Sequence, residues 1–421
     1  MARRLAPGPL RGSPRVAEDS VPACESDSRS VRPTSMSPSN PAPAHPVSLP
    51  DRLPTLDGLR AIAILLVVPH NLNLIATYGG THLFVAAVHR GWIGVQLFFV
   101  LSGFLITGIL LDARDASNYY RSFFVRRALR IFPLYYATLV VLFVLLPALG
   151  LLPSSFERDP MVELSYWAYF SNWYGPFHKG PDSVSHFWSL AIEEQFYLLW
   201  PFVIHRRSAE WIMRLCFAIA AASLSLRVAM LLTGTPGIYT FLVTRMDALA
   251  LGGAVAAAFR VPSVASWTLN HRRFLPGASL LSLVAGAAIS RGYQLTDGMT
   301  PSLGFTFLAV AFALLVAAGT AADHLGPAGW LGVLRWTFLR RVAKYSYAMY
   351  VLSVPVHFLV GKPVLSALGL ASTNSIAVDL GYIVVGTALS FFAAAASFHL
   401  FEVHFLNLKD RFAPSAPSPG K

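Results

Sequence analysis

Apolar runs long enough to cross a bilayer constrain this chain more than any other feature. Runs of roughly 17–25 residues, the length a helix needs to traverse the hydrocarbon core, recur at about 58–76, 91–111, 131–151, 186–204, 211–232, 243–259, 274–290, 303–321, 345–362 and 377–401. Inside lipid the backbone must satisfy its own polar groups, and runs of this length do so as helices. The expected fold is therefore all-α: a polytopic membrane helix bundle of about ten transmembrane helices. Composition agrees, since 55% of the 421 residues are hydrophobic and only 13% are charged, against about 25% charged in a soluble domain.

The runs divide the chain into three regions. Residues 1–52 are rich in Pro, Ser and Arg and lack helical periodicity, so they read as a disordered cytoplasmic tail. They also lack the continuous apolar core of a signal peptide, and no cleavage is expected. A start at Met36 rather than Met1 fits the same composition. Residues 53–405 form the transmembrane domain, and 406–421 a short cytoplasmic tail. The chain ends soon after the last apolar run, so no fused extracytoplasmic hydrolase-like domain is expected. The aromatic segment 164–177 is too short to cross and is expected at the interface.

Charge sets the orientation. One group of loops holds Arg114, Arg121, Arg126, Arg127 and Arg130, then Arg206, Arg207 and Arg214, then Arg260, Arg272 and Arg273, then Arg335, Arg340, Arg341 and Lys344. The alternate loops hold far fewer basic residues and include Glu157, Asp159, Glu163 and Asp182. Basic residues stay in the cytoplasm, so both termini are expected there, in a multi-pass protein of the plasma membrane. The net charge of +12 does not suggest nucleic acid, because the basic residues lie between apolar runs rather than on one polar face. Cys24 and Cys216 make no disulfide framework, and no His, Cys and Asp spacing would hold a metal.

Polar residues inside the apolar runs are the functional candidates, because a charged or imidazole side chain at bilayer depth costs roughly 2.5–3.5 kcal/mol or more. In the first run Arg60 precedes His70, which lies roughly 15 Å deeper at helical rise. Arg60 reaches either the headgroups or a bound anion. His70 either bonds to a neighbouring helix or abstracts a proton from a hydroxyl, for which an imidazole near its ordinary pKa is suited. Arg126, Arg127 and Arg130 open the third run, with Arg127 and Arg130 on one helix face. Such guanidinium clusters bind phosphates or anchor topology beside anionic lipid. At the outer end of the fourth run, His186 and Glu193 are two helical turns apart with Ser189 close to their face, and Glu194 and Gln195 follow. This group reads as a polar pocket open to the outside.

Weaker signals accompany these. Arg245 and Asp247 are candidates for an internal ion pair. Ser346, Tyr347 and Tyr350 either line a cavity or belong to the core. Gly103, Gly108, Gly252 and Gly253 permit close helix packing.

Taken in order, Asp57-Gly58-Leu59-Arg60, Phe98-Phe99-Val100-Leu101-Ser102-Gly103, Arg126-Arg127 to Arg130-Ile131-Phe132-Pro133, Trp188-Ser189-Leu190 to Glu193-Glu194-Gln195-Phe196-Tyr197, Arg245-Met246-Asp247-Ala248-Leu249 and Ser346-Tyr347 resemble the membrane acyltransferase-3 family, which O-acylates surface polysaccharides and related molecules. The resemblance runs from about Leu56 to Glu402. It implies an integral membrane O-acyltransferase with a ten-helix core. Such an enzyme takes an acyl group, most often acetyl, from acyl-CoA at the cytoplasmic side and delivers it to an outer hydroxyl. It further implies that His70 is the catalytic histidine, Arg60 its partner near the donor, and Glu193 part of the essential outer motif. Arg126, Arg127 and Arg130 would bind the coenzyme A phosphates. His186, Ser189 and Glu194 fall on the acceptor side, and membrane lipid is the surrounding partner. The acceptor class stays open among a carbohydrate, a lipid-linked sugar and a secondary metabolite.

Three departures from the family pattern stand out. The usual ten residues between Arg and His are nine here, which turns His70 about 80° off the Arg60 face and puts Asn71 on it. Pro69 removes a helix hydrogen bond just before His70 and is able to re-aim it. Ser353 stands where the family often has His, and Glu402-Val403-His404 replaces a terminal Glu-x-Pro. A rival reading from another class is a transporter or flippase of a sugar-linked substrate. Transporters often carry paired halves with broken helices, and no such internal repeat is legible.

Overall fold

The computed structural model describes residues 52–72, 83–151, 159–327, 329–370 and 375–415. The expected tail at 1–52 lies outside the described residues apart from Arg52, as does the choice between Met1 and Met36. Among the described residues every regular element is helical, as the apolar runs require.

Ten longer helices occupy the ten expected intervals. In chain order they are α1 (Pro54–Asn71), α2 (Ile93–Asp112), α3 (Tyr119–Val140), then after two short helices α6 (Trp188–Ile204), α7 (Ala209–Thr233) and α8 (Leu242–Ala258). A further short helix is α9 (Pro262–Asn270), followed by α10 (Leu275–Ile289), α11 (Phe305–Leu325), α12 (Thr337–Val356) and α13 (Ile376–Ser397). The short pair α4 (Pro160–Trp167) and α5 (Ser171–Tyr174) covers the aromatic segment, and neither is long enough to span.

Among the described residues six helical stretches are long and apolar enough to cross a bilayer, or seven if α8 and α9, bent by 98° at their junction, count as one span. The expected count of about ten is not reached on this measure, for a physical reason. Helix α6 has 17 residues and α10 has 15, short of a full crossing, while Asp57, Arg60, His70 and Asn71 dilute the apolar character of α1. A multi-pass membrane bundle is what the helices support.

Its interior is a tight packing of α2, α8 and α11. The apolar window of α2 is 72% buried, whereas those of α7 and α13 are 28% and 22% buried, so the latter two are peripheral. Their outward Phe217, Leu232, Val384 and Phe392 are exposed, as lipid-facing residues are. The close approach at the centre needs glycine: Gly103 lies against the backbone of Leu249, and Gly252 against that of Val100. Small residues at such crossings replace the hydrophobic drive that is absent between helices in lipid.

Candidate active site

A cavity of about 330 Å³ sits among α1, α2, α3, α6 and α12. Helix α1 contributes Arg60, α3 contributes Arg127 and Arg130, and α6 contributes Ser189 and Glu193. The opposite walls come from Ser102 with Phe98, Leu105 and Ile109 on α2, and from Ser346, Tyr347 and Tyr350 on α12. Five of the residues singled out for chemistry therefore meet in one place, and Ser346, Tyr347 and Tyr350 line a cavity rather than core alone.

The first motif positions Arg60. Both carboxylate oxygens of Asp323 accept from the Thr55 backbone N–H, at 3.1 and 3.0 Å, and one accepts from the Thr55 hydroxyl at 2.6 Å. This caps the orphan donors at the start of α1. Gly58 then lies against the backbone at Leu334, which seats the helix so that Arg60 faces inward. Its guanidinium bonds Asp57 one turn earlier at 3.2 Å.

On α3, the Arg127 guanidinium lies 3.8 Å from the centre of the Tyr197 ring and within electrostatic reach of Glu193 and Glu194. Its Nε is buried with no hydrogen-bond partner among the described residues. Arg130 is exposed, at the cavity's edge. Arg126 does not line the cavity; like Arg130 it lies within electrostatic reach of Lys409 in the C-terminal segment.

At the acidic wall, the Ser102 hydroxyl donates to a Glu193 carboxylate oxygen. The Tyr350 hydroxyl donates to the His186 carbonyl at 2.9 Å and lies 2.5 Å from the Ser189 hydroxyl. His186 is buried beside the Tyr350 ring, with the backbone of Tyr350 and Val351 against its imidazole. Glu194 and His186 stay outside the cavity wall proper. Gln195 holds the fold together instead. Its Nε2 donates to the carbonyl of Tyr169 at 2.7 Å and to Asn172 at 2.8 Å, and its Oε1 accepts from Trp173 at 3.0 Å. It thereby ties α6 to the aromatic segment, where Tyr169 has a left-handed φ of 52°.

His70 is not in the cavity wall. It lies at the far end of α1, where its Nδ1 is 3.3 Å from the Val88 carbonyl. A carbonyl oxygen only accepts, so Nδ1 carries the proton and Nε2 keeps the lone pair in the neutral ring. Gly91 packs on Leu66 and His70, and Gly94 on Ala63 and Val67. Val95, the cavity's extreme residue on α2, is therefore about one helical turn short of the His70 level. Asn71 is adjacent, with its side-chain nitrogen buried and unpartnered among the described residues.

The anticipated ion pair has a different partner. Asp247 binds Arg227 at 2.8 Å, both fully buried, and Arg227 also donates to the Ser302 and Thr244 carbonyls and to the Thr306 hydroxyl. Arg227 lies deep in the fifth apolar run, whose other charge, Arg214, is near its start, so the cost of intramembrane charge was the signal that would have found it. Arg245 instead donates to Gln96 at 2.7 Å and sits 3.9 Å from the centre of the Phe305 ring. Ser353 donates to the Tyr350 carbonyl at 3.1 Å, and Glu402 accepts from Ser397 at 2.9 Å.

Residues 53–395 match the family model described as an acyltransferase domain. The chain belongs to this acyltransferase family. YrhL of Bacillus subtilis (strain 168), provisionally named a peptidoglycan O-acetyltransferase, is 34% identical over 349 residues, covering 74% of this chain and 50% of that protein. The peptidoglycan O-acetyltransferase OatA of Listeria monocytogenes is 28% identical over 332 residues, 72% of this chain and 49% of its own. The O-acetyltransferase OatA of Staphylococcus aureus is 34% identical over 228 residues, 49% and 35% of the two chains. The chain spans about half the length of the first of these relatives. No solved structure matches it.

Proposed function

We propose that the protein is an O-acetyltransferase that takes an acetyl group from acetyl-CoA at a cytoplasmic, arginine-lined mouth and delivers it to a hydroxyl of peptidoglycan on the other face of the plasma membrane. The observation that carries this reading is the cavity itself, which joins Arg60, Arg127 and Arg130 to Glu193, Ser189 and Tyr350. Guanidinium groups suit the coenzyme's phosphates, and the names of the relatives supply peptidoglycan as acceptor. Residues 53–405 form the catalytic unit and both termini are cytoplasmic, in keeping with the basic loops.

In the reaction a base removes the acceptor's hydroxyl proton, the oxygen attacks the thioester carbonyl, and the carbon–sulfur bond breaks. The coenzyme leaves as thiolate and takes up a proton. His70 is the proposed base, the Nε2 lone pair of its neutral ring being the proton acceptor. This requires the bound substrates to extend the cavity by one helical turn, about 5 Å. Glu193 is the second reading for the base, favoured by its position in the cavity wall.

The test uses purified full-length protein in nanodiscs with acetyl-labelled acetyl-CoA and peptidoglycan fragments. Label should appear on the glycan as an alkali-labile ester and fall to background in His70→Ala. Full transfer by His70→Ala with loss in Glu193→Gln would assign the base to Glu193. Movement of a sugar-linked substrate with the thioester intact would overturn the enzyme reading in favour of transport.

A further inference from the structure

A second hollow of about 450 Å³ opens beyond the N-terminal end of α6, between the short helices α4 and α5 and the loop before α8. Its volume is that of a small-molecule site, about 300–1,000 Å³, and it borders the loops poor in arginine. None of the cavity chemistry described above uses it.

Its walls combine two features. Trp188 and Tyr239 line it with rings 4.8 Å apart and inclined by 56°, an aromatic corner. Behind that corner Arg245 lies 5.1 Å from the Tyr239 ring centre and 5.8 Å from that of Trp188, anchored by Gln96, so the rings are held from within. Ser171 and Thr240 also line the hollow, and their side-chain oxygens, buried just beneath its surface, have no hydrogen-bond partner among the described residues, Ser171 being 4% exposed. Buried hydroxyls are nearly always bonded, so two orphans in one wall point to a ligand that supplies the missing partners.

We propose that this hollow is the acceptor subsite and that it takes a neutral pyranose unit of a glycan strand. A sugar offers C–H faces to an aromatic corner and hydroxyls to Ser171 and Thr240, which is the combination present. The charged lining is balanced, Lys179 against Asp182, and gives no attraction for a polyanion. The subsite also lies next to the donor cavity: Trp188 lines the hollow and its neighbour Ser189 lines the cavity. A hydroxyl of the bound sugar is thereby separated from the cavity by the first turn of α6, with His186 buried just before it. The assignment rests on the acetyl-transfer reading, and its test is read apart from that reading.

The probes are chitotetraose as neutral glycan and a glycerol-phosphate oligomer as polyanion, titrated against full-length protein by tryptophan fluorescence and calorimetry. The wild type should bind chitotetraose saturably and bind the polyanion at least about tenfold more weakly. Losing two hydrogen bonds in Ser171→Val with Thr240→Val should raise Kd and acceptor KM about tenfold and leave donor KM within about twofold. Should the pair misfold, Tyr239→Phe, which keeps the ring, must bind chitotetraose and Tyr239→Ala must not. Equal Kd in the wild type and a folded Ser171 and Thr240 pair, or preference for the polyanion, overturns the subsite. Glycan binding without thioester cleavage supports the subsite while overturning the donor reading.

Discussion

The Ser102 hydroxyl on α2 donates to the Glu193 carboxylate on α6, across a cavity whose opposite rim carries Arg127. A carboxylate so held in a largely apolar bundle needs both the hydroxyl and the nearby guanidinium to stay there. Glu193→Gln keeps a hydrogen-bond acceptor and removes the charge. Acetyl transfer should fall by about 10²-fold or more, with the thermal midpoint in detergent little changed. Initial rates with labelled acetyl-CoA, paired with a melting curve, decide this.

The arginines should separate by position. Arg127→Ala and Arg130→Ala each remove charge-assisted hydrogen bonds of roughly 1.5–3 kcal/mol, so the donor's kcat/KM should drop roughly 10- to 150-fold. Arg126→Ala, at a position that does not line the cavity, should cost less than either. Steady-state kinetics over a range of acetyl-CoA concentrations gives the ranking, and an Arg126 effect as large as the others would move the donor site toward that residue.

His70→Ala should abolish transfer while the protein still inserts and melts normally, because the ring's hydrogen bonds reach only the Val88 and His89 backbone at the end of α1. His70→Gln keeps a donor for the Val88 carbonyl but no base, and should be equally inactive. Transfer at wild-type rate by His70→Gln would reduce the histidine to a helix-end contact.

Asp247 and Arg227 offer a stability test. Asp247→Ala leaves a buried guanidinium uncompensated, a loss of about 3–5 kcal/mol. Replacing both, Arg227→Met with Asp247→Leu, should recover most of it. Chemical denaturation in mild detergent measures the cycle, and additive losses would mean the two residues are not coupled.

Gly103→Leu should also destabilise, by about 1–3 kcal/mol or more, since a side chain there meets the backbone of Leu249. Gly234→Ala lies in open space at a helix end with φ of 66° and should cost only backbone strain. Comparing their melting temperatures separates crowding from strain.

Much of this was legible in the chain. The helical runs follow from hydropathy and bilayer thickness, and Arg60, Arg127, Arg130, Ser189 and Glu193 converge because each was a polar residue with no reason to be in lipid. Which residue pairs with Asp247 was not legible, because Arg227 is 20 residues away and only packing of α7 on α8 brings it close. The offset of His70 from the cavity was half visible in the nine-residue spacing, yet where α1 ends against Gly91 depends on a neighbour far along the chain. Gln195 read as part of a chemical motif, and its hold on Tyr169 emerges only once α5 folds back.

Trp188 and Ser189 are consecutive residues with different chambers on either side. The first turn of α6 is thus a wall common to both chambers, so a change of packing on one of its faces is felt on the other.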